Sequence, residues 1–145
     1  MLADYGYTET AYRLLLQEEC PGWLYAVKNG ATTIWETWDG VRADGTVHDS
    51  LNHYSYGAVT GWLFGGVCGI RLREGRLTIA PKPHPSLGHA RAEWHSPAGT
   101  IVSSWKYEGE RWMLDVQVPM PATVVLPDGE SHPIPEGEAH YEILL

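Results

Sequence analysis

The pattern of apolar and polar positions changes near Gly69, and the two parts of the chain predict different structures. In residues 8–18 the apolar side chains recur at the spacing of one helix face, at Ala11, Tyr12, Leu15 and Leu16. This spacing predicts a helix over residues 8–18 with Thr8 as its cap. A second short helix is predicted over residues 21–28, because Asn29-Gly30 is a typical helix end.

The longest predicted helix covers residues 51–70, with Ser50 as its cap. Its glycines repeat every four residues, at Gly57, Gly61, Gly65 and Gly69. A glycine costs about 0.8–1 kcal/mol in a helix interior, so we expect this row of glycines to pack closely against another element. Two short helices are too few to cover such a helix. Residues 1–70 are therefore predicted to be a piece of a larger helical assembly.

After Gly69 apolar and polar residues alternate, which is typical of strands with one buried face. Glycine- and proline-containing turns separate six predicted strands, at residues 76–80, 89–95, 100–107, 111–118, 122–126 and 140–144. Short strands at this spacing predict an antiparallel β-sandwich. The expected fold class is α+β, with helices in residues 1–70 and the sandwich in residues 71–145.

Composition and charge narrow the function classes for this chain of 145 residues. The formal net charge is −8, and the ten basic residues are scattered, so we expect no nucleic-acid partner. No apolar run approaches the roughly 20 residues that span a bilayer, so no membrane partner is expected. The cysteines Cys20 and Cys68 lie in unrelated segments and are interpreted as reduced thiols of a cytoplasmic protein. The seven histidines form no HxH or HxxxH pair, and neither a metal nor another cofactor is predicted.

The candidate chemistry lies in the segment Trp35-Glu36-Thr37-Trp38. Indole faces stack well on sugar rings, and flanking indoles are expected to desolvate Glu36 and raise its pKa. This pattern favours a carbohydrate site with an acid/base carboxylate. On the residues alone, two core tryptophans beside an exposed carboxylate are an equal alternative. Likewise, His53 alone fits a polar surface or capping residue better than a ligand residue.

The sequence contains two long motifs, Ala31-Thr32-Thr33-Ile34-Trp35-Glu36-Thr37-Trp38-Asp39 and Ser50-Leu51-Asn52-His53-Tyr54-Ser55-Tyr56-Gly57. Its tail contains Trp94-His95-Ser96-Pro97-Ala98-Gly99-Thr100-Ile101 and Ser103-Ser104-Trp105-Lys106. These segments resemble the bacterial α-L-rhamnosidases of glycoside hydrolase family 78. The resemblance covers nearly the whole chain and implies its C-terminal position. Residues 1–70 would be the last helices of an (α/α)6 catalytic barrel, and residues 71–145 the β-sandwich that follows it.

The resemblance also implies roles for individual residues. Glu36 resembles the family's general base, which activates water in an inverting reaction. His53 resembles the histidine that hydrogen-bonds the rhamnose ring, and Trp38 and Trp35 would line or back the sugar pocket. The substrate class implied is a carbohydrate that carries terminal α-L-rhamnose.

The general acid has no comparable candidate in this sequence, because Asp39 and Asp49 belong to a polar loop. A loop-capping role is expected for Asp39, with orientation of Glu36 or a water as the alternative. We therefore expect half an active site, to be covered by the missing N-terminal barrel portion or by self-association. Two alternatives stay open: a non-catalytic carbohydrate-binding or accessory module built on the sandwich, and a structural remnant.

The strand tryptophans Trp94, Trp105 and Trp112 are expected in the sandwich core or an interface, with a secondary sugar platform as the alternative.

Overall fold

The structure of the protein, a computed structural model, describes residues 2–144. The chain divides after Thr60 into two compact units. The first unit contains a 3-10 turn, Leu2–Tyr5, and the helices α1 (Thr8–Leu15) and α2 (Trp23–Lys28). Helix α1 buries Ala11 and Tyr12, as its apolar spacing predicts, whereas α2 has no buried residue. None of the helices in residues 2–144 has the length and apolar character that crossing a bilayer requires.

The first two helices are shorter than the pattern predicts. The N-cap of α1 is Tyr7 and no side chain caps it, so the prediction that Thr8 is the cap is wrong. The predicted end of α2 is confirmed: Asn29 is its C-cap, and Gly30 follows with a φ of +81°. A positive φ is unstrained for glycine, which explains why the helix ends there.

The helix predicted over residues 51–70 is confirmed only over residues 56–67, where it is not a regular α-helix, and its predicted start and end are wrong. A 3-10 turn, Tyr56–Ala58, is followed by one helical turn, α3 (Val59–Trp62), and a π-turn, Leu63–Val67. Residues 51–55 stay outside the helix because their polar groups bond elsewhere. The Ser50 Oγ atom accepts the Asn52 amide at 3.2 Å, and the His53 amide donates to the Ile34 carbonyl at 2.8 Å.

The glycines of this segment do not form a packed helical row. A methyl group at Gly61 would meet no atom within 4 Å, so this glycine is not pressed against a neighbour. Gly69 has a φ of +75°, and a Cβ there would lie 2.1 Å from the Pro81 nitrogen. Gly69 therefore serves a close backbone approach just before a strand, and not a helix contact.

Eight strands form two four-stranded sheets in the second unit. The strands are β1 (Ile70–Arg73), β2 (Arg76–Ile79), β3 (His89–Ser96), β4 (Gly99–Glu108), β5 (Arg111–Val118), β6 (Ala122–Val125), β7 (Ser131–Ile134) and β8 (Gly137–Leu144). One sheet has the order β1-β2-β6-β7 and the other β3-β4-β5-β8. All pairs are antiparallel except β2 with β6, which is parallel. The six predicted strands are confirmed, and β1 and β7 are additional.

Alternating burial along the strands gives each sheet one apolar face. In β5 every second side chain is buried, at Trp112, Leu114, Val116 and Val118. In β4 the buried side chains are Ile101, Ser103 and Trp105, and in the other sheet β2 and β6 bury Leu77, Ile79, Ala122 and Val124. These faces are those of a β-sandwich, and the α+β class predicted from the sequence is confirmed.

The carbonyl groups that end the π-turn are satisfied by residues of the second unit. The buried side chains of β4 supply two of these bonds: the Trp105 indole donates to the Val67 carbonyl at 2.8 Å, and the Ser103 hydroxyl to the Cys68 carbonyl at 2.6 Å. Arg71 Nε, the Lys82 amide and the Ala80 amide bond the carbonyls of Gly65, Gly66 and Gly69. The last carbonyl groups of a helix have no hydrogen-bond donor within the helix, and here the strands and their connections supply the donors.

Candidate functional site

Glu36 is fixed by Ser50, a residue fourteen positions later in the chain. The Glu36 amide donates to the Ser50 carbonyl at 2.8 Å, and the Ser50 amide donates to Glu36 Oε2 at 3.1 Å. The neighbouring bond from His53 N to Ile34 O continues this pairing of the two segments. The Glu36 side chain remains 42% exposed. One carboxylate oxygen is thus held by the backbone, while the carboxylate as a whole stays accessible.

His53 faces the second oxygen of the same carboxylate. Its Nε2 atom lies 4.0 Å from Glu36 Oε1, which is too long for a direct hydrogen bond. The Ser55 amide donates to His53 Nδ1 at 3.3 Å, so in the neutral ring the proton lies on Nε2. A water or sugar hydroxyl placed to one side of the line from Nε2 to Oε1 can lie within hydrogen-bond distance of both atoms.

Trp38 belongs to an aromatic cluster of three residues. Its indole stacks on Tyr56 with a centroid distance of 3.8 Å and an interplanar angle of 19°. Trp23 meets Trp38 edge-on at 5.1 Å and donates its indole N–H to the Tyr56 carbonyl at 3.1 Å. The interaction between aromatic rings and this hydrogen bond fix the orientation of the Trp38 ring.

A cavity of about 280 Å³ lies beside this cluster. Its wall is mainly apolar and includes the three clustered rings, Trp35 and three threonines: Thr32, Thr33 and Thr37. The Thr37 hydroxyl is buried and has no hydrogen-bond partner among residues 2–144. Apolar walls with a few polar groups are typical of small-molecule sites.

The structure brings the predicted site residues together as two pairs. Glu36 and His53 face each other, whereas Trp35 and Trp38 line the cavity, whose wall includes neither Glu36 nor His53. Trp35 is 5% exposed and packs beside Gly40, where an added Cβ would lie 3.3 Å from the indole. The two indoles therefore pack within the first unit, and they do not enclose the half-exposed Glu36 carboxylate.

The loop between these motifs is closed by His48. Its Nδ1 atom lies 2.8 Å from Asp49 Oδ2, and its Nε2 atom lies 3.0 Å from the Asp39 carbonyl and 3.2 Å from Asp39 Oδ1. The His48 amide also donates to the Gly40 carbonyl at 3.0 Å. One histidine thus binds both ends of the loop that separates Trp38 from Ser50.

The charges of this loop shift two pKa values in opposite directions. The hydrogen bond with Asp49, opposed by partial desolvation and aided by Asp39, raises the pKa of His48. Desolvation works to raise the pKa of Asp39, but its contacts with His48 and with Arg42 at 3.5 Å lower it overall. The His48–carboxylate contacts therefore favour a cationic ring between two anions.

The strand tryptophans differ in exposure. Trp105 and Trp112 are 1% and 0% exposed and form part of the sandwich core, as the sequence predicts. Trp94 is 36% exposed on β3. Of the three, only Trp94 has an accessible face. Among residues 2–144, no group of three or more His, Cys, Asp and Glu side chains is arranged to hold a metal ion.

Sequence reasoning missed the residues that position the site. Ser50 was expected as a helix cap, and the hydrogen bonds between its backbone and Glu36 have no local sequence signal. The contacts of Trp23 and Tyr56 with Trp38 also have no local sequence signal, because these residues lie 15 and 18 positions from Trp38 in the chain. Tyr56 lies within the second motif, so the motif indicated its importance but not its partner.

Comparison with known protein families gives two matches that together span most of the chain. Residues 1–67 match the bacterial alpha-L-rhamnosidase 6 hairpin glycosidase domain, and residues 75–140 match the bacterial alpha-L-rhamnosidase C-terminal domain. The two matches follow one another in the order that the resemblance implies.

Individual proteins show the same similarity. An alpha-L-rhamnosidase of Streptomyces avermitilis is 34% identical over 92% of this chain, and one of Formosa agariphila is 39% identical over 82%. The chain spans 14% of the length of each of these relatives. The crystal structure of a native rhamnosidase from Aspergillus terreus superposes with a TM-score of 0.92 and 32% identity, covering 98% of this chain and 18% of that one.

Proposed function

The chain belongs to the bacterial α-L-rhamnosidase family and corresponds to its C-terminal part, and on that premise we propose a function for its residues. The chain contributes the base side of an active site that removes terminal α-L-rhamnose from glycosides or polysaccharides with inversion. In such a reaction one carboxylic acid protonates the leaving oxygen, and a second carboxylate activates water on the opposite face of the sugar. Glu36 is the water-activating base.

The observation that carries this proposal is the geometry of the Glu36 carboxylate. Oε2 accepts the Ser50 amide at 3.1 Å, which fixes the orientation of the group, while Oε1 stays directed towards His53 at 4.0 Å. A general base must reach the proton that it removes directly or through one water. A half-exposed carboxylate, oriented by the Ser50 amide and facing the His53 ring, meets that requirement.

His53, Trp38 and Trp35 are the proposed substrate-binding residues. His53 directs Nε2 towards the same space as Glu36, where it can donate to a rhamnose hydroxyl or to the reacting water. Trp38, fixed by Tyr56 and Trp23, offers a rigid ring beside the cavity, and the buried Trp35 backs that wall. Stacking of a sugar face on such a ring requires little reorganisation.

The general acid is proposed to come from outside this chain. The acidic residues of residues 39–49 are Asp39, Asp44 and Asp49: Asp39 and Asp49 bond His48, and Asp44 accepts the Thr46 amide at 2.9 Å. The partner is the N-terminal portion of the six-hairpin domain, or a second copy of the chain that covers the same surface. Helix α2, with five apolar residues in six and none of them buried, supports the need for such a cover.

We also propose the domain division predicted from the sequence, with barrel helices in residues 1–70 and the sandwich domain in residues 71–145. The family matches over residues 1–67 and 75–140 support it. The compact unit beginning at Gly61 extends across this boundary because the π-turn carbonyls bond the strands. A cytoplasmic location is proposed from the two free cysteines.

A chimera tests the role of Glu36. Residues 1–145 replace the matching region of the Streptomyces avermitilis relative, and hydrolysis of a chromogenic α-L-rhamnoside is measured. The Glu36→Gln substitution keeps the shape but removes the base, so kcat should fall about 10²–10⁴-fold. Glu19→Gln, at an exposed carboxylate of the same unit, is the matched control and should leave kcat unchanged.

Proton NMR of the first product tests inversion in the same chimera. An inverting reaction releases the β-anomer of L-rhamnose before mutarotation. Initial release of the α-anomer, or a Glu36→Gln chimera with kcat within threefold of the unsubstituted one, would contradict the proposed role of Glu36.

A further inference from the structure

The residue before Ser50 has an unfavourable backbone conformation, which a side-chain hydrogen bond stabilises. The preceding residue, Asp49, has a φ of +59°, in the left-handed region that most L-residues avoid. An aspartate tolerates this region better than most residues when its side chain is hydrogen-bonded. Here the Asp49 carboxylate is bonded by His48 Nδ1 at 2.8 Å.

The second nitrogen of His48 holds the other end of the loop. Nε2 lies 3.0 Å from the Asp39 carbonyl and 3.2 Å from Asp39 Oδ1, directly after Trp38. Both ring nitrogens therefore face acceptor atoms. A neutral imidazole can donate from only one nitrogen, whereas the imidazolium donates from both. The geometry thus requires the protonated ring for both contacts to be hydrogen bonds.

Three charged side chains of the loop affect the ionisation of His48. Asp49 and Asp39 favour the cation, and Arg42, which lies 3.5 Å from Asp39 Oδ2, opposes it. The His48 side chain is 27% exposed, so it can exchange its proton with solvent.

We infer that His48 is a positioning residue for Glu36: its protonated ring joins Asp39 to Asp49 and thereby holds the Ser50 amide on the Glu36 carboxylate. This inference rests on the proposed function, because it gives His48 a role in presenting the base. When His48 loses its proton, one of the two loop ends is released. The Ser50–Glu36 bond then weakens, and the base loses its fixed orientation.

NMR of the purified full chain between pH 5 and 9 tests this link without any catalytic activity. The Ser50 amide signal should follow the ionisation of His48 in the unsubstituted chain. In His48→Gln that pH dependence should disappear, and the Ser50 amide should exchange with solvent roughly 10-fold faster or more. His140→Gln is the matched control, since His140 also bonds an exposed carboxylate, Asp115 at 2.7 Å, but lies on β8.

A Ser50 amide that exchanges within twofold of the unsubstituted rate in His48→Gln would overturn the inference. If His48→Gln unfolds the first unit, Asp49→Asn decides, because it keeps an acceptor for His48 Nδ1 but removes the carboxylate charge that raises the pKa of His48. A pH transition of the Ser50 amide signal that moves to lower pH in Asp49→Asn supports the inference, and a transition that does not move overturns it.

The chimera described above then separates this inference from the proposed function. His48→Gln should lower kcat roughly 10-fold with KM within twofold, because a misoriented base affects the chemical step more than binding. If Glu36→Gln leaves the chimera active, the proposed function fails. The Ser50 exchange in the isolated chain still decides whether His48 positions Glu36.

Discussion

The second unit buries its apolar side chains among themselves, whereas the first unit leaves many of its own exposed. Among the described residues, fifteen buried apolar side chains lie beyond Thr60 and only four before it. The large exposed ones show the reverse distribution, with eight before Thr60 and four after it. The sandwich thus supplies its own core, and the exposed apolar side chains of the first unit support the proposal that a partner covers it.

Removing Trp105 gives the largest effect expected in this comparison. Trp105→Ala creates a cavity in the sandwich core and removes the indole bond to the Val67 carbonyl. We expect the free energy of unfolding to fall by about 3–5 kcal/mol. Urea denaturation measures it, with Trp94→Ala on the neighbouring strand as the control, since Trp94 is 36% exposed. A loss for Trp105→Ala no larger than that for Trp94→Ala would contradict the assignment of Trp105 to the core.

The two cysteines report the difference between the units by their reactivity. Cys20 is exposed, and burial raises the pKa of Cys68 to about 11. Because the thiolate is the reactive form, iodoacetamide at pH 8 should label Cys20 at least about 100-fold faster than Cys68. Peptide mass spectrometry measures both rates, and denaturant should equalise them. Equal rates in the folded chain would show that the second unit opens freely.

The bond from Ser103 to Cys68 makes a smaller contribution to the stability of the second unit. Ser103 is fully buried, and its hydroxyl donates to the Cys68 carbonyl at 2.6 Å. Ser103→Ala leaves that carbonyl without this donor, so we expect a loss of about 1–3 kcal/mol in urea denaturation. Ser104→Ala, at the adjacent and partly exposed position, is the control and should cost less. Equal losses would remove Ser103 from the contacts that hold the π-turn to the sandwich.

The smallest effect on stability is expected for a substitution on the surface of the first unit, which should instead reduce self-association of the chain. Val27 on α2 is 60% exposed. Val27→Lys should change the free energy of unfolding by only about 0.5 kcal/mol. It should nevertheless reduce self-association in sedimentation velocity, because it breaks an apolar surface that a second copy can cover. An unsubstituted chain that sediments as a monomer at all concentrations would contradict self-association as the cover.

The alternation of apolar and polar residues predicted those strands whose burial follows a regular pattern. Strand β5 shows clear alternation, and its bounds agree with the prediction at 111–118. Strand β7 was missed because it is short, polar and contains Pro133, which is tolerated because β7 is an edge strand. Strand β1 was missed, and its first residue, Ile70, was assigned to the end of a helix, since only the pairing with β2 shows that Ile70–Arg73 is extended.

The candidate site depends on contacts between distant residues, and these limit what a sequence can predict. Glu36 and His53 were identified through a resemblance, and in the structure His53 Nε2 lies 4.0 Å from Glu36 Oε1. The segment that contains His53 was predicted to be helical from residue 51, because a serine such as Ser50 is a typical helix cap. The Ser50 backbone instead pairs with Glu36, and that pairing prevents a helix from starting there. Propensity at residues 50–55 is therefore outweighed by tertiary hydrogen bonds.

Hydrolysis of a chromogenic α-L-rhamnoside by the purified chain, beside the chimera, tests most directly the claim that this chain holds the base but not the acid. We expect no release above background by the chain alone. We expect release by the chimera and loss of that release in Glu36→Gln. Release by the chain alone that disappears in Glu36→Gln would contradict the account, because the chain would then complete its own active site.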